Sequence, residues 1–464
     1  MAFQEILNKL PNGESAALSL INEFDQCFLV GFANLERPHQ ETLNALVRVF
    51  TGTPLEQPLV DTGAAIERHE FVERHFSVLA AARAAMLGSL FDTLQQQVRG
   101  ALGRAEVPDA AFVSIAESEL TQVPTPHQVW LESIRHWLME IALMGYARLD
   151  GTTLLPFMAT LEQIQAEPLL IRQAAVLTGF FNELISQVPV AESSSIPTYR
   201  WTDLWMQAMI GAMPYTAARA PKQVSGILEL LGLDLRHHAN LVSFTAYGVL
   251  TNLEQVQQVK ITLSAYKVDA IAGDEIWLLF PNATSLLDAF AENQALHLSN
   301  IPLLSTGDLL WQGDGQVGRK YNLMEKAAQL FSPNVDNVPA GCLVHPAWRH
   351  PIQIADPVFL KDYTIIQDLG KISLSWKDKG VLPIATERIS LFSEIAVEDL
   401  AKSTQLFGLL RFDAGRWAVQ PLAVTVKGKT IFTGQSAAKI MKKPPNKNTV
   451  SILQERASRL LRKS

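Results

Sequence analysis

The sequence predicts a multidomain chain, with an α-helical N-terminal half followed by a mostly antiparallel α+β C-terminal half. Three observations predict it. The 464 residues exceed what one hydrophobic core serves. Apolar residues recur at helical spacing through the first half. From about Leu235 the period drops to two, the spacing of half-buried strands.

Residues 1–190 read as a helical domain. Ala64 to Val98 has few breakers, and Phe71, Leu79, Met86, Leu90 and Leu94 recur at roughly helical spacing. His127 to Leu149 carries Trp130, Ile134, Trp137, Leu138, Ile141 and Met144 on one broad face, with Pro124 and Pro126 at its start. In Leu154 to Val188, Pro168 ends one helix and opens another. The half reads as a helical array without a fixed residue period. Residues 191–234 read as a linker around Ser193, Ser194 and Ser195, then an apolar helix with Trp201, Leu204, Trp205, Ala208, Met209 and Ala212 on one face.

Residues 235–435 read as the α+β domain. Val242, Phe244 and Ala246 alternate with Ser243, Thr245 and Tyr247, as Val259, Ile261 and Leu263 do with Lys260, Thr262 and Ser264. Ile276 to Phe280 reads as a short buried strand and Thr284 to Gln294 as a helix. Further strands are expected at 372–376, 407–412, 417–426 and 430–432, with hairpin turns at Asp413-Ala414-Gly415 and Lys427-Gly428-Lys429. His237 and His238 are expected to follow a helix.

Composition excludes several classes. Two cysteines, Cys27 and Cys342, cannot build a disulfide framework or a cysteine zinc ribbon, and they point to a reducing, cytoplasmic setting. No basic n-region leads into an apolar stretch at the N-terminus, and no uncharged apolar run is long enough to span a bilayer, so no membrane association is expected. Hydrophobic residues at 48% against charged residues at 18% leave apolar surface for a partner.

Charge is unevenly spread. Lys427 to Ser464 holds ten basic residues against one acid, Glu455, a local +9 on a chain of net −7, so the rest carries −16. Within 436–464, Lys439, Lys442, Lys443 and Lys447 surround Pro444-Pro445. A short helix is expected from Thr449, with Val450, Leu453, Ala457, Leu460 and Leu461 on one face and Arg456, Arg459, Arg462 and Lys463 on the opposite arc. This tail suits docking on a protein partner, phosphate contacts to nucleic acid, docking on the chain's own acidic body, or plain solubility. The acidic body itself lacks interleaved aromatic and basic residues, which weighs against a nucleic-acid groove there.

Motifs for chemistry are sparse. Gly313-Asp314-Gly315-Gln316-Val317-Gly318 has dinucleotide-loop spacing, but only a weak strand at Leu309-Leu310-Trp311 precedes it, so a plain glycine-rich loop is the better reading. Gly428-Lys429-Thr430 matches the end of a phosphate-binding loop, but Ala423 stands where the first glycine belongs. His69 and His75, six apart, point about 240° away from each other on a helix. The segment His345-Pro346-Ala347-Trp348-Arg349-His350-Pro351 reads as a rigid loop, and His345, Trp348, Arg349 and His350 as a recognition surface. No nucleophile elbow and no outstanding carboxylate pair occurs, so no catalytic residue, cofactor or metal is assigned.

Arg200-Trp201-Thr202-Asp203-Leu204-Trp205, Lys267-Val268-Asp269 and Gly307-Asp308-Leu309-Leu310-Trp311 resemble uncharacterised bacterial proteins encoded beside MoxR-type AAA+ ATPases and von Willebrand factor A proteins, over about residues 195–315. The resemblance implies an accessory component of an ATPase-linked system, with such an ATPase or von Willebrand factor A protein as partner. It carries over no active-site residue. The leading expectation is a non-enzymatic interaction protein. The alternatives are a nucleic-acid-associated protein acting through the tail and an enzyme with an unrecognised site.

Overall fold

The computed structural model describes residues 7, 11–104, 121–122, 125–167, 170–190, 192–213, 215–216, 221–237, 241–252, 255–267, 271, 273–304, 306–313, 315–335, 338–339, 354–368, 370–376, 380–413 and 415–442. Helices run to Gly211 and antiparallel sheets dominate thereafter, as the periodicity predicts.

The helical half comprises α1 (Glu14–Val30), α2 (Arg37–Val49), α3 (Glu56–Glu67), α4 (Glu73–Ala101), α5 (Thr125–Met144), α6 (Gly151–Leu154), α7 (Met158–Gln165), α8 (Ile171–Gln187) and α9 (Thr198–Gly211). The continuous helix expected from Ala64 is broken. α3 stops at Glu67, His69 takes a left-handed φ of 57°, and α4 begins at Glu73. The serine stretch is a short exposed 3₁₀ turn, and α9 beyond it returns into the helical core, where Trp201, Trp205, Ala208 and Met209 are fully buried.

A two-copy pattern underlies this half. Val30-Gly31-Phe32-Ala33-Asn34-Leu35 ends α1, and Met144-Gly145-Tyr146-Ala147-Arg148-Leu149 ends α5. Each glycine has positive φ (93° and 88°) and leads into a 3₁₀ turn. The two glycines lie back to back. A Cβ on Gly31 would fall 2.5 Å from the Met144 backbone, and one on Gly145 2.5 Å from Gly31 N. Only glycine permits both this φ and this approach.

Two short strands, β1 (Thr121–Gln122) and β2 (Tyr215–Thr216), pair antiparallel, and the long strands begin at Lys222, earlier than the period change suggests. β3 (Lys222–His237), β4 (Leu241–Thr251), β5 (Val256–Tyr266), β6 (Gln294–Leu303) and β7 (Gln316–Lys320) form one sheet in the order β5-β4-β3-β6-β7. β3 is long and bent, with register shifts at Val224/Gly226 and Leu230/Gly232, so its first half pairs with β6 and its second with β4. The residues before β7 close the sheet on itself. Asp308 bridges Lys260 of β5 in parallel, and Leu309 bridges Leu303 of β6. Helix α10 (Thr284–Ala291) connects β5 to β6. The expected strand at Ile276 is instead a 3₁₀ segment, Gly273–Leu279, whose Ile276 and Trp277 are fully buried. A short apolar run does not distinguish strand from buried helix. His237 ends a strand rather than following a helix, and its ring meets Phe392 edge to face at 5.2 Å.

After α11 (Leu323–Phe331) the same connectivity recurs. β8 (Asp356–Lys361) and β9 (Thr364–Asp368) act as one strand broken at Asp362, whose φ is 56°. β8 pairs with β12 (Ser403–Asp413) and β9 with β10 (Lys371–Trp376), which pairs with β11 (Gly380–Pro383). Helix α12 (Val397–Leu400) precedes β12, β12 pairs with β13 (Arg416–Val426), and Ile384 after β11 bridges Val419 in parallel. The chain therefore holds two successive five-stranded barrels of one topology, that of the OB type. β14 (Lys429–Phe432) and α13 (Ala437–Met441) follow.

Two packings join the parts. The second half of α4 puts Leu90, Leu94, Val98 and Ala101 into the core of the second barrel, with Ile372, Leu406 and Leu410. The barrels meet where Leu422 packs on Gly232 and where Phe407 and Leu409 turn toward the first barrel. β12 and β13 are thus buried on both faces, which is why they read as continuous apolar runs rather than alternating ones. By length and composition α4 is also apolar enough to cross a membrane. Its apolar side chains are consumed instead by the helical core and the second barrel.

Candidate interaction surface

The outward face of the first barrel is a regular grid. Cross-strand pairing sets Arg236, Ser243 and Ser264 in one row, Asp234, Thr245 and Thr262 in the next, and Gly232, Tyr247 and Lys260 in a third. Leu241 and Tyr266 add a partial row at the end. The Thr245 and Thr262 hydroxyls lie 3.1 Å apart. Tyr266 is 81% exposed. Hydroxyls dominate this floor. Lys260 is held by Asp308 at 3.5 Å, so its charge is already matched.

The second barrel walls the β3 side of the grid through a buried polar network. Gln420 donates to Asp234 at 2.7 Å, Arg411 donates to Gln420 Oε1 at 3.0 Å and to Asp234 at 3.3 Å, and Arg236 contacts Asp234 at 3.1 Å. Two guanidinium groups share one carboxylate here, and the amide joins them. This set fixes the angle between the barrels, because each buried polar group finds its partner only in this arrangement. A second network lies in the helical core. Arg83 holds Asp25 with two bonds of 2.8 and 2.9 Å and Asp203 with one of 2.8 Å. Burial pushes the Asp25 carboxyl up to about 6 despite the guanidinium.

The residues singled out from sequence fall as follows. Lys439 is exposed on α13, whose other face, with Ala437, Ala438 and Ile440, is buried. Lys442 reaches Asp288 of α10 at 3.4 Å, so the first part of the basic segment rests on the acidic body. Lys443, Lys447, Arg456, Arg459, Arg462 and Lys463 lie outside the described residues, as do Cys342 and the segment with His345, Trp348, Arg349 and His350. The glycine-rich loop runs into strand β7 rather than a helix, and Gly318 lies in that strand against His297, so it offers no helix N-terminus to a phosphate. Lys427 and Gly428, both with positive φ, turn β13 into β14, which accounts for the Gly-Lys-Thr spacing.

Two of the segments that carry the resemblance have structural roles, and Val268 and Asp269 of the third lie outside the described residues. Trp201, Thr202 and Trp205 are buried in the helical core, and Asp203 holds Arg83. Gly307-Asp308-Leu309 is the closing strand of the first barrel, with Gly307 at φ 77° and Leu309 buried. Cys27 is buried, and burial pushes its thiol up to about 12, far from a reactive thiolate. Among the described residues no cluster of His, Cys, Asp and Glu has metal-binding geometry. Sequence reasoning missed the grid because β3 hides its period under two-sided burial. The alternation of β4 and β5 was its one visible signal. No family model matches the chain, and no curated protein matches it.

Proposed function

We propose that the chain is a non-catalytic adaptor that presents its two barrels, fixed on a helical scaffold, to a protein partner. The observation that carries this reading is the rigid coupling itself. α4 is shared between the helical core and the second barrel, and the Asp234–Gln420–Arg411 network locks the barrels together. Such a body holds surfaces at fixed separations, as a scaffold requires. The first barrel's hydroxyl-rich face, on which Arg236 is paired with Asp234 and Lys260 with Asp308, suits a protein surface better than a polyanion. The resemblance of residues 195–315 supports a place in an ATPase-linked assembly in the cytoplasm. A tagged pull-down from the native cell, with and without nuclease, tests it. A stoichiometric protein that survives nuclease is expected, and a bait that stays alone refutes the reading.

A second reading is nucleic-acid association. OB-type barrels are a recurrent oligonucleotide-binding architecture, and the chain ends in a basic segment. Binding would then fall steeply with salt and be lost on removal of residues 443–464. Salt-independent or absent binding to single- and double-stranded probes rules it out.

A further inference from the structure

Among the described residues, the first barrel is closed at Lys260 by two backbone hydrogen bonds. Lys260 N donates to Gly307 O at 2.9 Å, and Leu309 N donates to Lys260 O at 2.8 Å. The closing strand then turns back to β6, where Leu310 N donates to Pro302 O. β5 continues to Tyr266 with β4 on one side only.

Backbone groups alternate in direction along a strand, so Thr262, Ser264 and Tyr266 present their N–H and C=O on the same edge as Lys260. Among the described residues no strand pairs with them there. All three side chains are exposed. An exposed edge of this kind is normally blunted by lysine, proline, a bulge or a covering element. Thr262-Leu263-Ser264-Ala265-Tyr266 carries no charge and no proline, and its pairing with β4 runs without a register shift.

Two other edges in the same molecule are protected. The outer edge of β13 is covered by β14, which pairs from Ala423 to Val426. β7 ends in Arg319 and Lys320, both strongly exposed. Among the described residues the β5 edge therefore continues, unpaired, a ladder that the chain itself has begun at Lys260.

The geometry points to the Thr262–Tyr266 edge of β5 as a strand-addition site for an extended peptide segment of a partner protein. This proposal rests on the adaptor reading and names how the partner is held. Main-chain hydrogen bonds from Thr262, Ser264 and Tyr266 supply the attachment, and the exposed Tyr266 ring supplies a contact for an alternate side chain. The Lys260 charge is matched by Asp308, and Lys267 directly follows the edge, so the chemistry that fits is an uncharged segment with an acidic end beside Lys267, and a basic peptide is disfavoured.

The test uses the full chain and a phage-displayed library of short random peptides. An enriched peptide is synthesised with a fluorophore and titrated by anisotropy against wild type, Ser264→Pro, Ser264→Lys and Ser264→Thr. Ser264→Pro removes the edge N–H yet spares pairing with β4, since that N–H points away from β4. Ser264→Lys keeps the backbone and guards the edge, which covers the case in which the proline variant misfolds. Both should weaken binding by about tenfold or more, while Ser264→Thr binds as wild type. The amides of Thr262, Ser264 and Tyr266 should gain exchange protection in the complex. Equal binding by both variants, unchanged exchange at the three amides, or no enriched peptide overturns the proposal. A wild-type dimer that Ser264→Lys makes monomeric also overturns it, because a second copy then holds the edge. The same variant separates this proposal from the adaptor reading. A native partner that copurifies equally with Ser264→Lys sinks the edge and leaves the adaptor standing. Peptide binding by a chain that captures no native partner does the reverse.

Discussion

Arg83 lies in the helical core with no solvent exposure and is bonded to two carboxylates from α1 and α9. Its guanidinium also lies 5.2 Å from the Tyr199 ring centroid. Replacing it with methionine would leave Asp25 and Asp203 buried without a counter-charge. Urea unfolding of Arg83→Met should show a loss of about 3–5 kcal/mol, the cost of breaking a buried pair by removing one partner. Burial, with the nearby Asp203 charge adding to it, outweighs the guanidinium, so Asp25 holds a proton more tightly when folded, at about 6, than at its ordinary 3.8. A raised carboxyl stabilises the fold below its unfolded value and loses that contribution as pH rises through the folded one. The stability of wild type relative to Asp25→Asn should therefore fall from pH 4 to pH 6.5, by on the order of 3 kcal/mol. A difference that stays flat across this window would contradict the assignment. The sequence showed Asp203 only as part of a short motif, because the charge partner that explains it is 120 residues away.

Among the elements, α1 and α5 are placed by their glycine ends. Gly31→Ala must relieve both a positive φ and a 2.5 Å approach to the Met144 backbone. A loss above about 2 kcal/mol is expected, read as a lowered thermal midpoint, and a neutral result would mean that the two turns do not touch. α4 is the connecting element. Beyond its last turn Arg104 bonds Asp356 and the Pro357 carbonyl of the second barrel. Arg104→Ala should remove this clasp and separate one calorimetric transition into two, because only the apolar contact of α4 and the Asn334 N–H bond to Leu102 O then join its end to the strand-rich half. A single unshifted transition would show that Leu94 and Val98 suffice. Helix spacing made α4 legible as a helix. Its service in two cores was not, since both cores draw on the same kind of apolar side chain.

Across the whole molecule, the relation between the barrels rests on few polar groups. Asp234→Ala would strip Arg411 of its buried carboxylate and leave Gln420 with an unpaired donor. The variant should lose about 3–5 kcal/mol and become cleavable by protease between the barrels. Unchanged protease resistance would assign the coupling to Leu422 and Gly232 instead. The tandem arrangement also explains why the C-terminal half looked like one irregular α+β domain. Strand-by-strand alternation is visible only where one face meets water, as in β4 and β5, and disappears where the barrels press on each other.

The sequence by itself determined the change from helix to strand, the half-buried strands β4 and β5, the hairpins at Gly415 and Lys427-Gly428, and the acidic body with its basic end. These are local properties of side-chain period, turn chemistry and charge. Only the tertiary structure decided that the long strands begin at Lys222, that Ile276 lies in a 3₁₀ turn, that each half repeats a unit, and that among the described residues no strand pairs with the Thr262–Tyr266 edge of β5. Each of these depends on what lies opposite a residue in space, and a single chain read end to end does not record its opposite face.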